Sequence, residues 1–335
     1  MIGELAALKR DWSEHLASLG GVQQSCLAPI VPAGCRVALV DWPKHSNAGD
    51  AAIWLGELQL ARLLGWKVVY VTDIHHYRRR RLAAQRAEVI LMHGGGNIGD
   101  FYPQYHQFKV AVLKDNPHLR IVQLPQSLNF SRPATRDEYI QAADEHKDFH
   151  LLVREAGSLR VCQELGILAE LCTDSAYQLS ATRLPPVTDI SVVARTDIES
   201  SSNVSSLPFA ADWPERRLDI VTRAVDKIDT HKLVWPFGTS VQLAKRGRYR
   251  SRSASLVRGA VQLLSRGRVA IVDRLHAHIL CIILGIPHVI LDSSNGKVFD
   301  HYLTWNKGLV GISTASDADQ ALLEAGRLLK LYPSS

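Results

Sequence analysis

The residues of this chain best suited to chemistry stand together as Asp273-Arg274-Leu275-His276, where the apolar run RVAIVDR (268–274) ends. Arginine presents a planar fork of donors that matches a carboxylate or a phosphate. A histidine beside it can hold or move a proton near neutral pH. His276 and His278 form an H-x-H pair, but side chains two apart on a helix diverge, so no shared metal is expected and His278 reads as a core residue. The glycine run HGGGNIGD brings His93, Gly95, Gly96 and Asn97, with Asp100 at its end. Consecutive glycines let backbone N–H groups approach a ligand, and the N-terminus of a following helix favours an anion. Its fit to G-x-G-x-x-G lies outside the first strand–helix unit, and no acidic residue ends the next strand, which weakens a dinucleotide reading. An oxyanion-hole reading would need a G-x-S-x-G elbow, which the sequence does not contain.

Further polar residues end apolar runs. Asn47, Gly49 and Asp50 follow RVALVDW (36–42), where Asp50 suits a helix cap as well as a ligand. Gln126 and Ser127 close LRIVQLPQS (119–127). Arg154 ends HLLVRE and Arg195 ends ISVVAR; each either serves an anion or pairs with its neighbour, Glu155 or Asp197. In open α/β sheets, ligands bind beyond the carboxyl ends of the strands, which is where these residues stand.

The elements that must hold them alternate. Apolar runs at 36–42, 66–73, 87–93, 119–127 and 150–155 are separated by stretches of helical period at 47–65, 75–86, 101–116, 134–146 and 156–166. Residues 180–215 differ, with a Ser-rich stretch that reads as a loop or lid. A second set follows: LDIVTRAVDKI, the basic stretch from 245, a strand at 268–274, a helix at 275–285, a strand at 287–292 and a terminal amphipathic helix begun by Ser316. Alternation of this kind means βαβ units and parallel sheets covered on both faces, an α/β fold. A length of 335 residues exceeds one ordinary core. Two Rossmann-like domains are expected, 1–182 and 183–335, with a cleft between them.

Hydrophobic and charged contents of 46% and 21% are those of a globular enzyme. The net charge of +6 suits an anionic substrate or an acidic membrane surface; without a nucleic-acid-binding motif it does not point to DNA or RNA. The five cysteines show no C-x-x-C spacing, which fits a reducing cytoplasm. The N-terminal MIGELAALKRDWSEHLASLG reads as a helix of mixed charge, not a signal peptide. No apolar run reaches the roughly 20 residues needed to span a bilayer, so any membrane contact is peripheral. The basic runs at 78–81 and 245–252 read as solvated faces able to touch anionic head groups. No metal-ligand cluster is evident.

The ordered set DWPKHSNAGD, LMHGGGNIGD, LVREAGSL, VVARTDIE, DRLHAHILCIILGIPHVILD and DSSNGKVFDHYLTW resembles the polysaccharide pyruvyl transferase family, over about residues 36–310. The likeness is to its bacterial exopolysaccharide branch. It implies a GT-B-like pair of Rossmann-like halves and transfer of a pyruvyl group from phosphoenolpyruvate to two hydroxyls of a sugar, giving a cyclic ketal and phosphate. It implies an acceptor that is a sugar or lipid-linked oligosaccharide at the cytoplasmic membrane face, and no cofactor beyond phosphoenolpyruvate as donor substrate. The family's R-L-H triplet stands here as Arg274-Leu275-His276, implying donor binding; Arg154 and Arg195 both fit the further arginine expected. His93, Gly95, Gly96 and Asn97 are placed on the donor side, and Asn47, Asp50, Gln126 and Ser127 on the acceptor side or in the cleft. Two or more arginines and a helix N-terminus suit a donor carrying a carboxylate and a phosphate. His276 is the expected acid or phosphate partner, and Asp273 or Asp100 the residue that orients or deprotonates the acceptor. The rivals are a GT-B glycosyltransferase using a nucleotide sugar and a non-catalytic glycan-binding relative.

Overall fold

A computed structural model describes residues 2–197, 203–215, 218, 220–230, 238–292, 294 and 296–332. The Ser-rich stretch expected to form a loop or lid lies partly outside these residues. The chain opens with α1 (Ile2–Leu27). The first sheet is built from β1 (Arg36–Val40), α2 (Ala48–Leu63), β2 (Lys67–Val71), α3 (Arg79–Ala84), β3 (Val89–Met92), β4 (Gly95–Gly99), α4 (Pro103–Asp115), β5 (Arg120–Asn129), α5 (Pro133–Asp144), β6 (Phe149–Val153), α6 (Ala156–Glu164) and β7 (Ala169–Leu171). The second comprises β8 (Thr188–Val193), β9 (Ala210–Ala211), α7 (Ile220–Thr230), α8 (Gly238–Ser265), β10 (Gly267–Val272), α9 (Leu275–Leu284), β11 (His288–Ile290), α10 (Lys297–His301), β12 (Ile312–Thr314) and α11 (Ala318–Leu331). Among the described residues no helix is long and apolar enough to cross a membrane.

Both sheets are parallel. The first runs β2-β1-β3-β5-β6-β7 with β4 also paired to β5, and the second runs β12-β11-β10-β8-β9. In each, the chain winds one way from the first strand and then crosses to its other side. That places a crevice between the carboxyl ends of β1 and β3, and another between those of β8 and β10. Such reversal points are where α/β sheets bind ligands. The residues leaving these strands are Asp41, His93, Arg195 and Asp273, three of them singled out from the sequence.

Two helices join the halves. α1 reaches the second sheet through Trp12, whose indole Nε1 donates to Val310 O at 2.8 Å and whose ring meets His288 edge-on. Its other end buries Leu27 among Val37, Leu39 and Trp42 of the first half. α8 stacks Tyr249 on Trp42 with ring centroids 3.7 Å apart, then buries Leu256, Ala260 and Leu264 with Val272 and Leu280 of the second half. The basic run at 245–252 is therefore not simply a solvated face. Lys245, Tyr249 and Arg252 are buried, and Arg248 and Arg250 are exposed.

Other expectations change locally. The glycine run forms a short strand, β4, and not an open loop, because its backbone pairs with Gln126, Leu128 and Asn129. The helix expected from 75 begins only at Arg79, since Asp73 Oδ1 accepts the N–H groups of His75 and His76 and holds them in a turn. LDIVTRAVDKI contributes the helix α7. The terminal helix is capped by Asp317, which accepts from Gln320 N at 2.9 Å, and not begun by Ser316.

α2 is packed closely enough that glycine is required in its middle. A Cβ on Gly56 would overlap the carbonyl of Ser175 in the helical turn Ser175–Gln178. Gly56→Ala is expected to cost roughly 1–3 kcal/mol by overpacking, read as a lowered midpoint in thermal unfolding. An unchanged midpoint would mean that the turn yields freely.

Candidate active site

At the floor of the cleft three side chains meet from three elements. Arg154, one residue past β6, is fully buried. Its Nη1 donates to Asp174 Oδ2 at 2.8 Å, and its Nε to Ser127 Oγ at 2.8 Å. His276, in the first turn of α9, places Nε2 3.3 Å from Asp174 Oδ2 and 3.5 Å from Arg154 Nη1. Burial alone would raise the Asp174 carboxyl, but His276, Arg154 and the Ala176 N–H hold it well below the usual carboxylate range. Glu155 goes the other way: burial pushes it up more than Arg154 and Ser158 pull it down. The cluster thus holds an ionised carboxylate against the imidazole.

Close approach of α2 lets this happen. A Cβ on Gly49 would lie 2.5 Å from His276 Nδ1. Asn47 caps α2, its Oδ1 accepting from Gly49 N at 2.9 Å, so Asp50 is not the cap.

The second sheet supplies the opposite wall. Arg274 donates through Nε and Nη2 to the two oxygens of Asp212 at 2.7 and 2.6 Å, and through Nη2 to Asp197 at 3.2 Å. Arg195 chelates Asp197 at 2.8 and 3.0 Å. Burial would raise the Asp212 carboxyl, but Arg274 and the Trp213 N–H bring it below its ordinary value. Asp273 is buried and accepts the Arg195 N–H at 2.8 Å, which locks the end of β8 to the end of β10. It is not among the residues lining the cleft.

Between these walls lies a cleft of about 470 Å³. Of the residues singled out from the sequence, Asn47, Asp50, Gly96, Asn97, Arg154, Arg195, Arg274, Leu275 and His276 line it. His93, Gly95, Gln126 and Ser127 sit just behind. Gln126 Nε2 donates to Asn97 Oδ1 at 3.0 Å, and Ser127 holds Arg154. His93 gives Nδ1 to Glu57 at 2.8 Å. Asp100 is outside the cleft lining. It accepts from the N–H groups of Ser131 and Arg132 and from the Arg132 guanidinium at 2.8 Å, so its lone pairs fasten the turn before α5. That places it away from an acceptor in the cleft, and Asp273, bonded to Arg195 N, is likewise not among the lining residues. His278 points into the core, 2.7 Å from His288 Nε2 and 3.0 Å from Asn306.

Several cleft residues were not singled out. Asp174 follows a strand of only three residues, and Asp212 one of two, too short to signal a strand end. His45 and Tyr105 also line the cleft; the first lies inside the DWPKHSNAGD motif, which was the available signal. The sequence also hid one group with metal-ligand character. Asp73, His76 and Asp226 offer ligand atoms within 4.8 Å of one another, from segments far apart in the chain. Lys44 Nζ already lies 2.8 Å from Asp226 and 3.6 Å from Asp73, supplying the positive charge there.

Comparisons with known proteins bear on the family and the fold. The model of the polysaccharide pyruvyl transferase family matches residues 47–295. Pyruvyl transferase 1 of Schizosaccharomyces pombe is 28% identical over 306 residues, covering 86% of this chain and 74% of its own. EpsO of Bacillus subtilis, provisionally named as a pyruvyl transferase, is 25% identical over 85% of this chain and 90% of its own. The crystal structure of a functionally uncharacterised Klebsiella pneumoniae protein shares the fold, with a TM-score of 0.55 at 17% identity over 84% of this chain and 93% of that one. With the family match spanning most of its length, including the second sheet's strand-end crevice and the R-L-H triplet, this chain belongs to the polysaccharide pyruvyl transferase family.

Proposed function

We propose that the protein transfers the pyruvyl group of phosphoenolpyruvate to two hydroxyls of a sugar in an exopolysaccharide precursor, forming a ketal and releasing phosphate. The observation that carries this reading is the meeting of Arg154, Asp174 and His276 at the cleft floor, facing Arg274 and Arg195 across it. A donor with a carboxylate and a phosphate needs more than one guanidinium, each best engaged in a bidentate way. Arg154 is held rigidly by Ser127 and Asp174, whereas Arg274 and Arg195 share Asp197 and must exchange part of that pairing for the donor's oxygens. The chain then works as a GT-B-like enzyme, with the donor between the halves and the acceptor entering beside Asn47 and Asp50.

In the reaction, His276 delivers a proton to the donor's methylene carbon, and a sugar hydroxyl attacks the adjacent carbon. Phosphate leaves and the second hydroxyl closes the ring. Asp174 orients the imidazole through its 3.3 Å contact and faces the positive charge it carries as the acid. The precursor is lipid-linked in this reading, which places the enzyme against the cytoplasmic membrane face without a spanning helix.

Incubation with phosphoenolpyruvate and a panel of lipid-linked and aryl glycosides is expected to give a mass gain of about 70 Da, pyruvate less water, with matching phosphate release. His276→Ala is expected to lower that release by about 10²–10⁴-fold while unfolding at the wild-type temperature. Full activity in the variant would remove His276 from the mechanism. Stabilisation by UDP-sugars and not by phosphoenolpyruvate would favour a nucleotide-sugar glycosyltransferase instead.

A further inference from the structure

We infer that Asp50 is the base that takes the proton of the attacking sugar hydroxyl, and that the buried Glu57–His93 pair behind it is the device that positions and balances its charge. The inference rests on the pyruvyl transfer reading and assigns the step that reading leaves without a residue. Each described aspartate beside the cleft floor or the second-sheet wall has another task. Asp174, Asp197 and Asp212 are paired with arginines, and Asp273 and Asp100 are spent on backbone N–H groups. Asp50 lines the cleft, is partly exposed to it, and among the described residues has His45 Nε2, at 3.5 Å, as its ion-pair partner.

The helix that carries Asp50 also carries Glu57, seven residues on and so on the same face. Glu57 is 2% exposed, an unusual place for a carboxylate unless something holds it. Its Oε2 takes His93 Nδ1 at 2.8 Å, and its Oε1 accepts the Gly94 N–H at 2.9 Å. The carboxylate therefore fixes the ring of His93 and the turn into β4 together. The Nε2 of His93 is buried with no protein partner, as are Asp41 Oδ1 and Gln126 Oε1 nearby. Asn97 ties those last two residues together, at 3.5 Å to Asp41 and 3.0 Å to Gln126. Orphaned buried polar atoms grouped under a cleft point to a ligand or water that bonds there. Gly95 closes the gap to the helix: a Cβ on it would lie 3.6 Å from Asp50 Oδ1.

The groups facing Asp50 are His45 before α2, His93 after β3, Tyr105 on α4, Arg154 after β6 and His276 on α9. Burial would raise the Asp50 carboxyl, but His45, His276, His93 and Arg154 bring it below its ordinary value. His93 is raised despite burial by Glu57, Asp41 and Asp50, with Lys109 countering Asp41. Asp50 is thus held below its ordinary value by groups that include His93, which Glu57 in turn raises.

Asp50 takes the proton of the first hydroxyl as its oxygen bonds the central carbon of the donor, while His276 gives its proton to the methylene. The bond to the phosphate oxygen breaks, and the phosphate leaves with the proton from Asp50. The second hydroxyl bonds the same carbon and its proton restores His276.

The test uses the full chain with phosphoenolpyruvate and an acceptor glycoside. Asp50→Asn is expected to keep wild-type thermal stabilisation by phosphoenolpyruvate and to lose ketal formation by about 10²–10⁴-fold. His93→Gln removes a group that lowers the Asp50 carboxyl, and Glu57→Gln removes the carboxylate that raises His93, so in both the support for Asp50 ionisation weakens and its ionisation moves to higher pH. In both, the acidic limb of kcat is expected to shift upward by roughly half a unit or more; a merely structural pair would lower the rate at every pH and leave the limb in place. Wild-type turnover by Asp50→Asn would overturn the base assignment with pyruvyl transfer intact, and an unmoved limb in Glu57→Gln would overturn the positioning role. Neither stabilisation nor product with the wild-type protein would overturn both this step and the reading beneath it.

Discussion

Gly49→Ala is expected to abolish pyruvyl transfer while leaving the fold in place. The added Cβ would stand 2.5, 2.8 and 2.9 Å from Nδ1, Cγ and Cβ of His276, closer than real carbon contacts allow. The imidazole has nowhere close to go. Its far edge already meets Asp174 at 3.3 Å and Arg154 at 3.5 Å, both fully buried and held by further bonds. The ring must therefore leave its place beside Asp174 and Arg154. A displacement of about 1 Å in a reacting group costs on the order of 10²-fold, and a side-chain swing costs more. Alanine is the better helix former by about 1 kcal/mol, so local propensity offsets part of the crowding and unfolding temperature should change little. Phosphate release at saturating substrates, measured beside thermal unfolding, checks both halves. A variant with near-native turnover would show that His276 does not act from this position.

Lys109→Met is expected to be the most destabilising single change outside the cleft floor. Lys109 Nζ lies 2.9 Å from Asp41 Oδ2 and donates to His93 O at 2.8 Å, with both side chains wholly buried. Removing one partner of a buried pair leaves an uncompensated charge and costs about 3–5 kcal/mol. Asp41 is exposed to that loss, because its Oδ1 has no protein partner and its backbone is fixed at φ 71° on leaving β1. Burial already raises its carboxyl pKa above the ordinary value, against the pull of Lys109 and His93. The sign of the pH dependence follows. A group whose folded pKa lies above its unfolded one favours the folded state in acid, and that contribution is lost as pH rises through the folded pKa. Without Lys109 the folded pKa climbs further, so the loss of stability should be greater at pH 8 than at pH 5. Denaturant unfolding at the two pH values reads this, and Asp41→Asn added to Lys109→Met should recover part of the deficit. An equal deficit at both would mean that removing Lys109 does not raise the Asp41 carboxyl further.

Much of this architecture was legible in the chain because its signals are local. α9 shows apolar spacing and ends at Gly285, which takes the left-handed φ of 64° that a helix stop requires. The R-L-H triplet stood out because a continuous apolar strand ended there. What escaped notice depends on contacts between distant segments. Glu57 looks like a solvent-facing acid inside a helix, and only the arrival of His93 from β3 makes it a buried carboxylate. Asp100 looked catalytic from its place after the glycine run, yet the turn 131–132 takes its lone pairs. Lys245 looked solvated within a basic run, yet α8 turns it inward beside Tyr249 and Asp226. Charge and spacing predict where a residue stands along an element, and the neighbouring segment decides what it does.

The way α1 and α8 each bury one end in one half and the other end in the second has a bearing on how such enzymes diversify. A recombination that joined the front of one family member to the back of another near residue 182 would cut across one continuous packing surface. Trp12 would meet a foreign Val310, and Trp42 a foreign Tyr249. Exchange of whole halves would therefore disturb packing that substitution of cleft-lining residues such as Asn47, Tyr105 and Trp213 leaves in place.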